Sequence, residues 1–546
     1  MKFSLNIVPK KPRAYSIRSY IEDLRRNEPQ SLLEIQDEVD PDYEITAYYL
    51  HFRKRNPVLL FRNIKGHKTF SIVTNIFGSD DRLARLAGFN SINEVIENWA
   101  NIAGSEPAGI RLPSAAEGNF HSIVSGSNLN IFDLPIPAHY ETDGSKTGNK
   151  KYITAGIMTT RDPEKRESIN LSFSRIQPFS RDRFAFDAGS HGHLWKHLKT
   201  ARERGQNLEA TVLIGPNPVF YLLAASFIDN EFLKVRRLFN VDFEDGFEND
   251  IPIPSDTEIV LEAEFCPEES FDEGPFAEYT GYVGYDSTKF VAKVKSILLK
   301  KDPIYYDIHP SNSSEHVNLF SIPRSSIVMN SIKDALPKGP VYEVKWPHYG
   351  GRFICFGFVD KGEPGLAQQL GISILGLDPL WNKFVFINEG RTELDIRSAL
   401  VNLAQENVFD GRNVLKFSEM FVISSDPTRD RSGVSGKIVF ISHGNAAAKE
   451  ERKGDTLILE TKGGKIAISH DTVDEGEKIG VVVPGDIDIG NYDEIGWAIA
   501  TRSDPARDIV IEENRICFNA TRKVAPVPSI PNEIKEKIEK RLRSFG

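Results

Sequence analysis

A multidomain protein that mixes α/β and α+β layers is predicted by three features of the sequence. Its 546 residues exceed the size at which a single core keeps growing. Its middle third is rich in strand signals, and beyond that strands alternate with helical segments. The chain divides on this reading into an N-terminal α/β segment (1–110), a strand-rich domain (111–310), a linker (311–335) and a C-terminal α/β domain (336–546) that ends in a helix.

Each element has a local reason. Residues 16–26 place Ile17, Tyr20, Ile21 and Leu24 at helical spacing, and 32–39 reads as a strand. After Pro41 a helical run reaches Arg55, and 58–61 is a short buried strand. Further strands are expected over 152–160, 168–177, 210–214, 258–265 and 290–299. Between them lies a helix over 194–204, with Leu194, Leu198 and Ala201 on one face and Gly205 as its stop. The Gly/Ser/Lys stretch 143–151 is expected to be an exposed, mobile loop. The Ser, Asn and His content of 307–323 marks a crossing between domains. Strands follow over 352–359, 414–423 and 480–483. Residues 532–543 set Ile534, Ile538 and Leu542 at i, i+4 and i+8, with Lys540, Arg541 and Arg543 at the C-terminal end where the helix dipole favours cations. Such a helix needs a surface to cover, on this subunit or another.

Composition narrows the partners. Lys and Arg number 67 against 77 Asp and Glu, and a net charge of −10 argues against nonspecific binding to nucleic acid or anionic membranes. Cys266, Cys355 and Cys517 are too widely spaced for a disulfide framework or a Cys-x-x-Cys metal site, which suits buried structural thiols in a reducing cytoplasm. The longest apolar run, 219–228, is half of the roughly 20 residues that span a bilayer, and the N-terminus lacks a signal-peptide apolar core. No membrane segment is expected.

The chemistry concentrates in Glu273-Gly274-Pro275-Phe276-Ala277-Glu278, read with Asn170-Leu171-Ser172-Phe173-Ser174-Arg175. Two carboxylates near one guanidinium can take different roles, one ionised against the arginine and the other free to carry a proton. These stretches resemble the acidic and Asn-x4-Arg signatures of the UbiD family of prenylated-FMN-dependent (de)carboxylases. Residues 132–137, 152–156, 257–262 and 497–502 also resemble family segments, in the family's order.

The resemblance implies a fold, a site and a cofactor. The first two parts would form one flavin-binding unit with a split β-barrel core, and the C-terminal α/β part would be the oligomerisation domain. Arg175, Glu273 and Glu278 would be catalytic: Glu278 the proton donor by its position, Arg175 the group that orients carboxylates, Glu273 the partner that fixes Arg175. Prenylated FMN would sit against Asn170, Ser172, Phe173, Ser174, Arg175, His193 and Glu231. Asn170, His193 and Glu231 would hold Mn²⁺ at the flavin phosphate, with K⁺ close by, and oxygen donors with one imidazole suit a hard divalent ion. His191 and His197 compete with His193, and Asp229 with Glu231. Three positions depart from the family pattern: Ala277, Ser172 and Ser174. Asp486, Arg502 and the segment around them also resemble the family, but an acid and an arginine there read better as structural.

The expected function is reversible, non-oxidative decarboxylation of an aromatic or α,β-unsaturated carboxylic acid by a cytoplasmic homodimer or larger homo-oligomer, with a flavin prenyltransferase supplying the cofactor. One alternative keeps the chemistry on a phosphorylated unsaturated acid of isoprenoid metabolism. Two others are a conventional flavin oxidoreductase and a non-catalytic subunit of a carboxylase complex. The commonest signatures of phosphate loops, nicotinamide binding, nucleophile elbows and zinc proteases are absent from the sequence.

Overall fold

The computed structural model describes residues 15–104, 120–189, 192–226, 228, 231–232, 234, 239, 241–285, 287–336, 341–360 and 363–543. Two compact units emerge, one of Met1–Ala277, Val283–Arg324 and Val527–Gly546, the other of Glu278–Tyr282 and Ser325–Pro526. The division falls inside a helix, Ser314–Ala335, where composition suggested a linker.

In the first unit the helix Ile17–Asn27 is capped by Ser16, whose hydroxyl accepts from the Ser19 amide, and its Ile17, Tyr20, Ile21 and Leu24 are buried as their spacing predicts. A four-stranded sheet runs in the order Leu32–Val39, Val58–Ile64, Ser71–Thr74, Ile304–Asp307, with the outer pairings parallel and the central one antiparallel.

The larger sheet positions the chemistry. Its path is Ile169–Phe173, Gly156–Arg161, Glu209–Ile214, Ile259–Glu273, Ser287–Leu299, Arg183–Phe186, Ile176–Pro178, with Ser122–Ser125 added to the long strand Ser287–Leu299 and every pairing antiparallel. The first and last strands of that path are consecutive in the chain, joined by Ser174 and Arg175 alone. The sheet must therefore curl until its two ends lie within the reach of a two-residue link, three Cα–Cα steps or roughly 10 Å. Arg175 sits at that closure.

The second unit has a five-stranded mixed sheet in the order Val341–Lys345, Ile354–Asp360, Phe384–Glu389, Val434–His443, Val414–Phe421, parallel at its centre and antiparallel at its edges. A six-stranded sheet follows, from Lys449–Lys453 through Thr456–Glu460, Lys465–Ser469, Ile479–Val482 and Arg515–Asn519 to Ile509–Glu512. Phe386 and Phe440 of the first meet Phe518 of the second at ring distances of 6.4 and 5.5 Å, which joins the two sheets in one core.

Three expectations change. The terminal helix Asn532–Arg543 belongs to the first unit, not to the C-terminal domain, and covers the helix Glu44–Phe52 of its own chain. Ile538 is buried there, Ile534 and Leu542 pack beside it, and Lys537 pairs with the buried Glu44. The loop 143–151 is not loose: Asp143 and Gly144 are buried, and the Gln177 side-chain amide donates to the Asn149 carbonyl at 2.7 Å. Of the three free cysteines only Cys355 is fully buried. Ile538→Ala should lower the unfolding free energy by about 2–4 kcal/mol, as large-to-small changes at buried sites do; urea titration of the variant measures it, and a loss within about 0.5 kcal/mol would mean the helix contributes little to the first unit.

Candidate functional site

Arg175 leaves the end of Ile169–Phe173 with its backbone held on both sides: the Ser174 amide donates to Gly156 O at 3.4 Å, and the Asp187 amide to Arg175 O at 3.2 Å. Its guanidinium Nη2 donates to Glu273 Oε2 at 2.7 Å. Glu273 ends the strand Ile259–Glu273 and its side chain is 1% exposed, against 16% for Arg175. A carboxylate this buried requires its cation, because removing one partner leaves a charge without solvent or counterion. The guanidinium also lies 5.1 Å from the centre of the Phe276 ring, which in turn lies 4.5 Å from the Tyr152 ring.

The segment between the glutamates turns sharply. Gly274 has φ of 109° and Gly281 φ of 92°, both accessible to glycine at little cost. Ala277 replaces the family glycine without strain, since it is not among the residues at positive φ, and its side chain is buried. Glu278 begins the short stretch that belongs to the second unit. Its amide donates to Tyr282 O at 2.8 Å and its carbonyl accepts from Gly281 at 2.9 Å. Within that unit the turn is clamped: Trp497 Nε1 donates to Thr280 O at 2.8 Å, Tyr282 stacks on Trp497 at 5.2 Å, and Arg502 Nε donates to the Tyr282 hydroxyl at 2.9 Å. Arg502 in turn holds Asp486 through two bonds of 2.9 and 2.6 Å, so that pair has the structural role expected of it.

Asn170, His193 and Glu231 all fall in the first unit. Asn170 lies opposite Thr160 on the neighbouring strand and donates through Nδ2 to Ser172 Oγ at 2.8 Å. His193 opens the helix His193–Glu203, and its Nδ1 stands 3.8 Å from Glu231 Oε1. Burial pushes the Glu231 carboxyl up from its ordinary value, opposed by His193 and by the Leu171 amide next to Asn170. The three side chains thus supply an amide oxygen, an imidazole nitrogen and a carboxylate oxygen, a set that fits a hard divalent cation. His197 is committed elsewhere: Nδ1 bonds Thr160 Oγ1 at 2.9 Å, Nε2 is 3.7 Å from Asp162, and burial lowers its pKa to about 4. His191 and Asp229 lie outside the described residues. Among the described residues no three His, Cys, Asp or Glu side chains cluster as a metal site. Phe173 packs on Tyr221 at 5.6 Å, and Ser174 Oγ donates to Asp187 O at 3.2 Å.

Sequence reasoning missed Asp143 and Tyr152. Asp143 Oδ1 accepts from the Ala277 amide at 2.9 Å, and the neighbouring Gly144 amide donates to Pro275 O at 2.8 Å. Burial raises the Asp143 carboxyl to about 7, against the pull of His139 and Arg175. Burial, helped by the Glu273 carboxylate, pushes the Tyr152 hydroxyl well up. Among the described residues Asp143 Oδ2, Tyr152 Oη and Glu273 Oε1 are buried without a hydrogen-bond partner. Buried polar atoms are rarely left so, and three around one guanidinium fit a site that a polar, planar ligand completes. The Asp143-Gly144 dipeptide is only a turn signal in sequence, and nothing local links it to residues 130 positions later.

Residues 113–313 match the 3-octaprenyl-4-hydroxybenzoate carboxy-lyase Rift-related domain (UbiD), 21–99 its N-terminal domain and 465–523 its C-terminal domain. The chain is 30% identical over 311 residues to an anhydromevalonate phosphate decarboxylase of Methanosarcina mazei, covering 56% of this chain and 68% of the relative. It is 26% identical over 290 residues to a phenolic acid decarboxylase of Bacillus subtilis, 51% of this chain and 60% of that one. The UbiD-class enzyme HmfF of Pelotomaculum thermopropionicum, solved with FMN, superposes with a TM-score of 0.71 at 25% identity, covering 79% of this chain and 94% of that one. An evolved dimeric form of HmfF with prFMN gives 0.68 at 23% identity, over 79% and 95%.

Arg175→Met should cost about 3 kcal/mol of stability near neutral pH by stranding Glu273, and less at about pH 5, where the stranded carboxyl can take a proton. Urea unfolding at the two pH values tests this. Equal losses at both would assign the cost to lost packing over Phe276 instead.

Proposed function

The chain belongs to the UbiD family of carboxy-lyases, and from that membership we propose that Arg175, Glu273 and Glu278 carry out reversible, non-oxidative decarboxylation of an aromatic or α,β-unsaturated carboxylic acid over prenylated FMN. The observation that carries the assignment is the buried 2.7 Å pair of Arg175 and Glu273 beside three unpartnered buried oxygens. On this reading the curled eight-stranded sheet would serve as the split barrel that holds the flavin, and Ser172, Phe173 and Ser174 would line its site.

Prenylated FMN, when bound, would supply the electron sink that side chains lack. The protein's residues do the rest. Arg175, held by Glu273, orients the substrate carboxylate and holds negative charge beside it. Glu278 delivers a proton to the carbon that lost CO₂, and in the carboxylating direction the same carboxylate takes that proton back. Glu273 holds Arg175 in place through its 2.7 Å bond. Asn170, His193 and Glu231 would hold Mn²⁺ for the flavin phosphate, with K⁺ as a second ion, and such a cation would offset the cost of a buried Glu231 charge. Neither ion is needed for the oxidoreductase alternative, which family membership sets aside.

The substrate has two readings. Anhydromevalonate phosphate is the substrate in the name of one relative and a phenolic acid in that of another, so both a phosphorylated unsaturated acid and an aromatic acid are candidates. A homo-oligomer is in keeping with the dimeric HmfF form, with a flavin prenyltransferase as cofactor source. Among the described residues no helix is long and apolar enough to cross a membrane. Production of the chain alongside a flavin prenyltransferase, followed by assay of CO₂ release from both acid classes, separates the readings.

Glu278→Gln should lower turnover by at least about 10²-fold while the flavin spectrum of the purified protein stays that of wild type; wild-type rates in the loaded variant would refute the proton-donor role. His193→Ala should lose manganese and flavin together, measured by metal analysis and absorbance. Retention of both would move the ligand to another residue.

A further inference from the structure

We propose that Tyr282 and Arg502 are positioning residues for Glu278, together fixing the backbone turn from which that carboxyl acts. The inference rests on the assignment of Glu278 as the proton donor and deepens it.

The turn Glu278–Tyr282 is closed on itself and lies wholly in the second unit. The Glu278 amide donates to Tyr282 O at 2.8 Å, and the Gly281 amide donates back to Glu278 O at 2.9 Å. Gly281, at φ of 92°, lets the chain reverse over so short a span. Both backbone polar groups of Glu278 are thus tied to the far end of the turn. A shift of Tyr282 is passed to Glu278 through a single hydrogen bond.

Tyr282 is 2% exposed, and its hydroxyl is used in both directions. Thr501 Oγ1 gives its proton to Trp497 O at 2.7 Å, so at 3.1 Å from the phenol it accepts. Arg502 Nε donates to the same phenol oxygen at 2.9 Å. The Tyr282 ring is stacked on Trp497, 5.2 Å between centres and 15° between planes. A ring held flat on one face and bonded at its tip to two groups has one orientation.

Arg502 is fixed in its turn. Its Nη1 and Nη2 donate to Asp486 Oδ1 and Oδ2 at 2.9 and 2.6 Å, and the centre of the guanidinium lies 5.0 Å from the middle of the Trp497 ring. With Nε on the phenol, each nitrogen of the planar fork has a partner, a set that an ammonium could not serve at once. Trp497, Thr501 and Arg502 all belong to the helix Tyr492–Arg502, whose Ile495, Ala498 and Ile499 are buried in the core of the second unit. The turn is therefore referred to a packed helix rather than to another loop. A group that must deliver a proton to one carbon needs that kind of support, since an error of about 1 Å can cost a hundredfold in rate.

The test uses Tyr282→Phe, which removes the hydroxyl and keeps the ring on Trp497, and Arg502→Lys, which keeps a cation for Asp486 and loses the fork. In the flavin-loaded protein, kcat per bound flavin should fall about tenfold in each, with KM within about twofold of wild type. The solvent deuterium isotope effect on kcat should rise in both, because proton delivery becomes the slower step. A purely structural role would lower the folded or flavin-loaded fraction and leave kcat per bound flavin and its isotope effect at wild-type values; that result would overturn the proposal. Tyr282→Phe, the milder change, decides the matter should Arg502→Lys fail to fold. Hydrogen–deuterium exchange of the unloaded protein gives a readout apart from activity. The peptide that carries the Glu278 and Gly281 amides should exchange about tenfold faster in the variants, and wild-type protection in them would equally overturn the proposal. Absence of decarboxylation by loaded wild type would sink the functional reading instead, and the exchange rates would still decide whether Tyr282 and Arg502 hold the turn.

Discussion

The closure of the eight-stranded sheet at Ser174 and Arg175 is the constraint from which the site follows. Two strands at opposite ends of the sheet path are joined by those two residues, so the sheet has to curl and the link has to lie at the mouth of the curl. The long strand Ile259–Glu273 runs through the middle of the same sheet and ends on Glu273. A cation on the link and an anion on the strand end are therefore brought together by backbone hydrogen bonding, before their own attraction acts. Once paired and buried, they cannot be separated without leaving an uncompensated charge in the interior. This rigidity is what a positioning arginine requires, since a guanidinium free to swing would lose the alignment it provides.

The segment from Glu273 to Tyr282 is anchored by two different sets of residues. Its first half is held within the first unit by Asp143, Gly144 and Ser311, whose amide donates to Ala277 O. Its second half is held within the second unit by Trp497, Thr501, Arg502 and Ser425, the last through the Tyr279 hydroxyl at 2.7 Å. The boundary falls between Ala277 and Glu278. Residues remote in sequence from the acids, such as Asp486 acting through Arg502, thereby bear on the geometry of the turn that carries Glu278.

Much of the fold was legible in local pattern. Residues 16–26 and 532–543 form helices where their apolar spacing predicts, and the helix predicted over 194–204 ends before Gly205 at φ of 60°. What failed was information about partners. The amphipathic face of the last helix shows that a surface is needed, but not that Glu44–Phe52 supplies it. Residues 307–323 read as a crossing because of their Ser, Asn and His content, yet Val317, Leu319, Ile322, Val328 and Ile332 are buried along a continuous helix, where tertiary packing outweighs the cost of Pro323. Arg175 and Glu273 were found through motifs that resemble a family. Asp143 was lost because the Gly/Ser/Lys composition after it signals exposure, whereas a carboxylate pointing inward leaves no trace in composition.

Similar acids in this chain are separated in role by their surroundings rather than by their type. Glu273 is buried against a guanidinium at 2.7 Å. Glu231 is buried against an imidazole at 3.8 Å, too far for a strong bond and suited to sharing a cation. Asp143 is buried against a backbone amide, a dipole too weak to offset the loss of solvent, so its neutral form gains. Burial raises both Glu231 and Asp143, opposed in the first by an imidazole and in the second by a more distant histidine and a backbone amide. An excess of ten acidic residues over basic ones across the whole chain is no obstacle to binding an anionic substrate under these conditions, because the field inside a buried site is set by the few charges that share it. On the proposed reading an anionic substrate would meet a guanidinium already paired with Glu273.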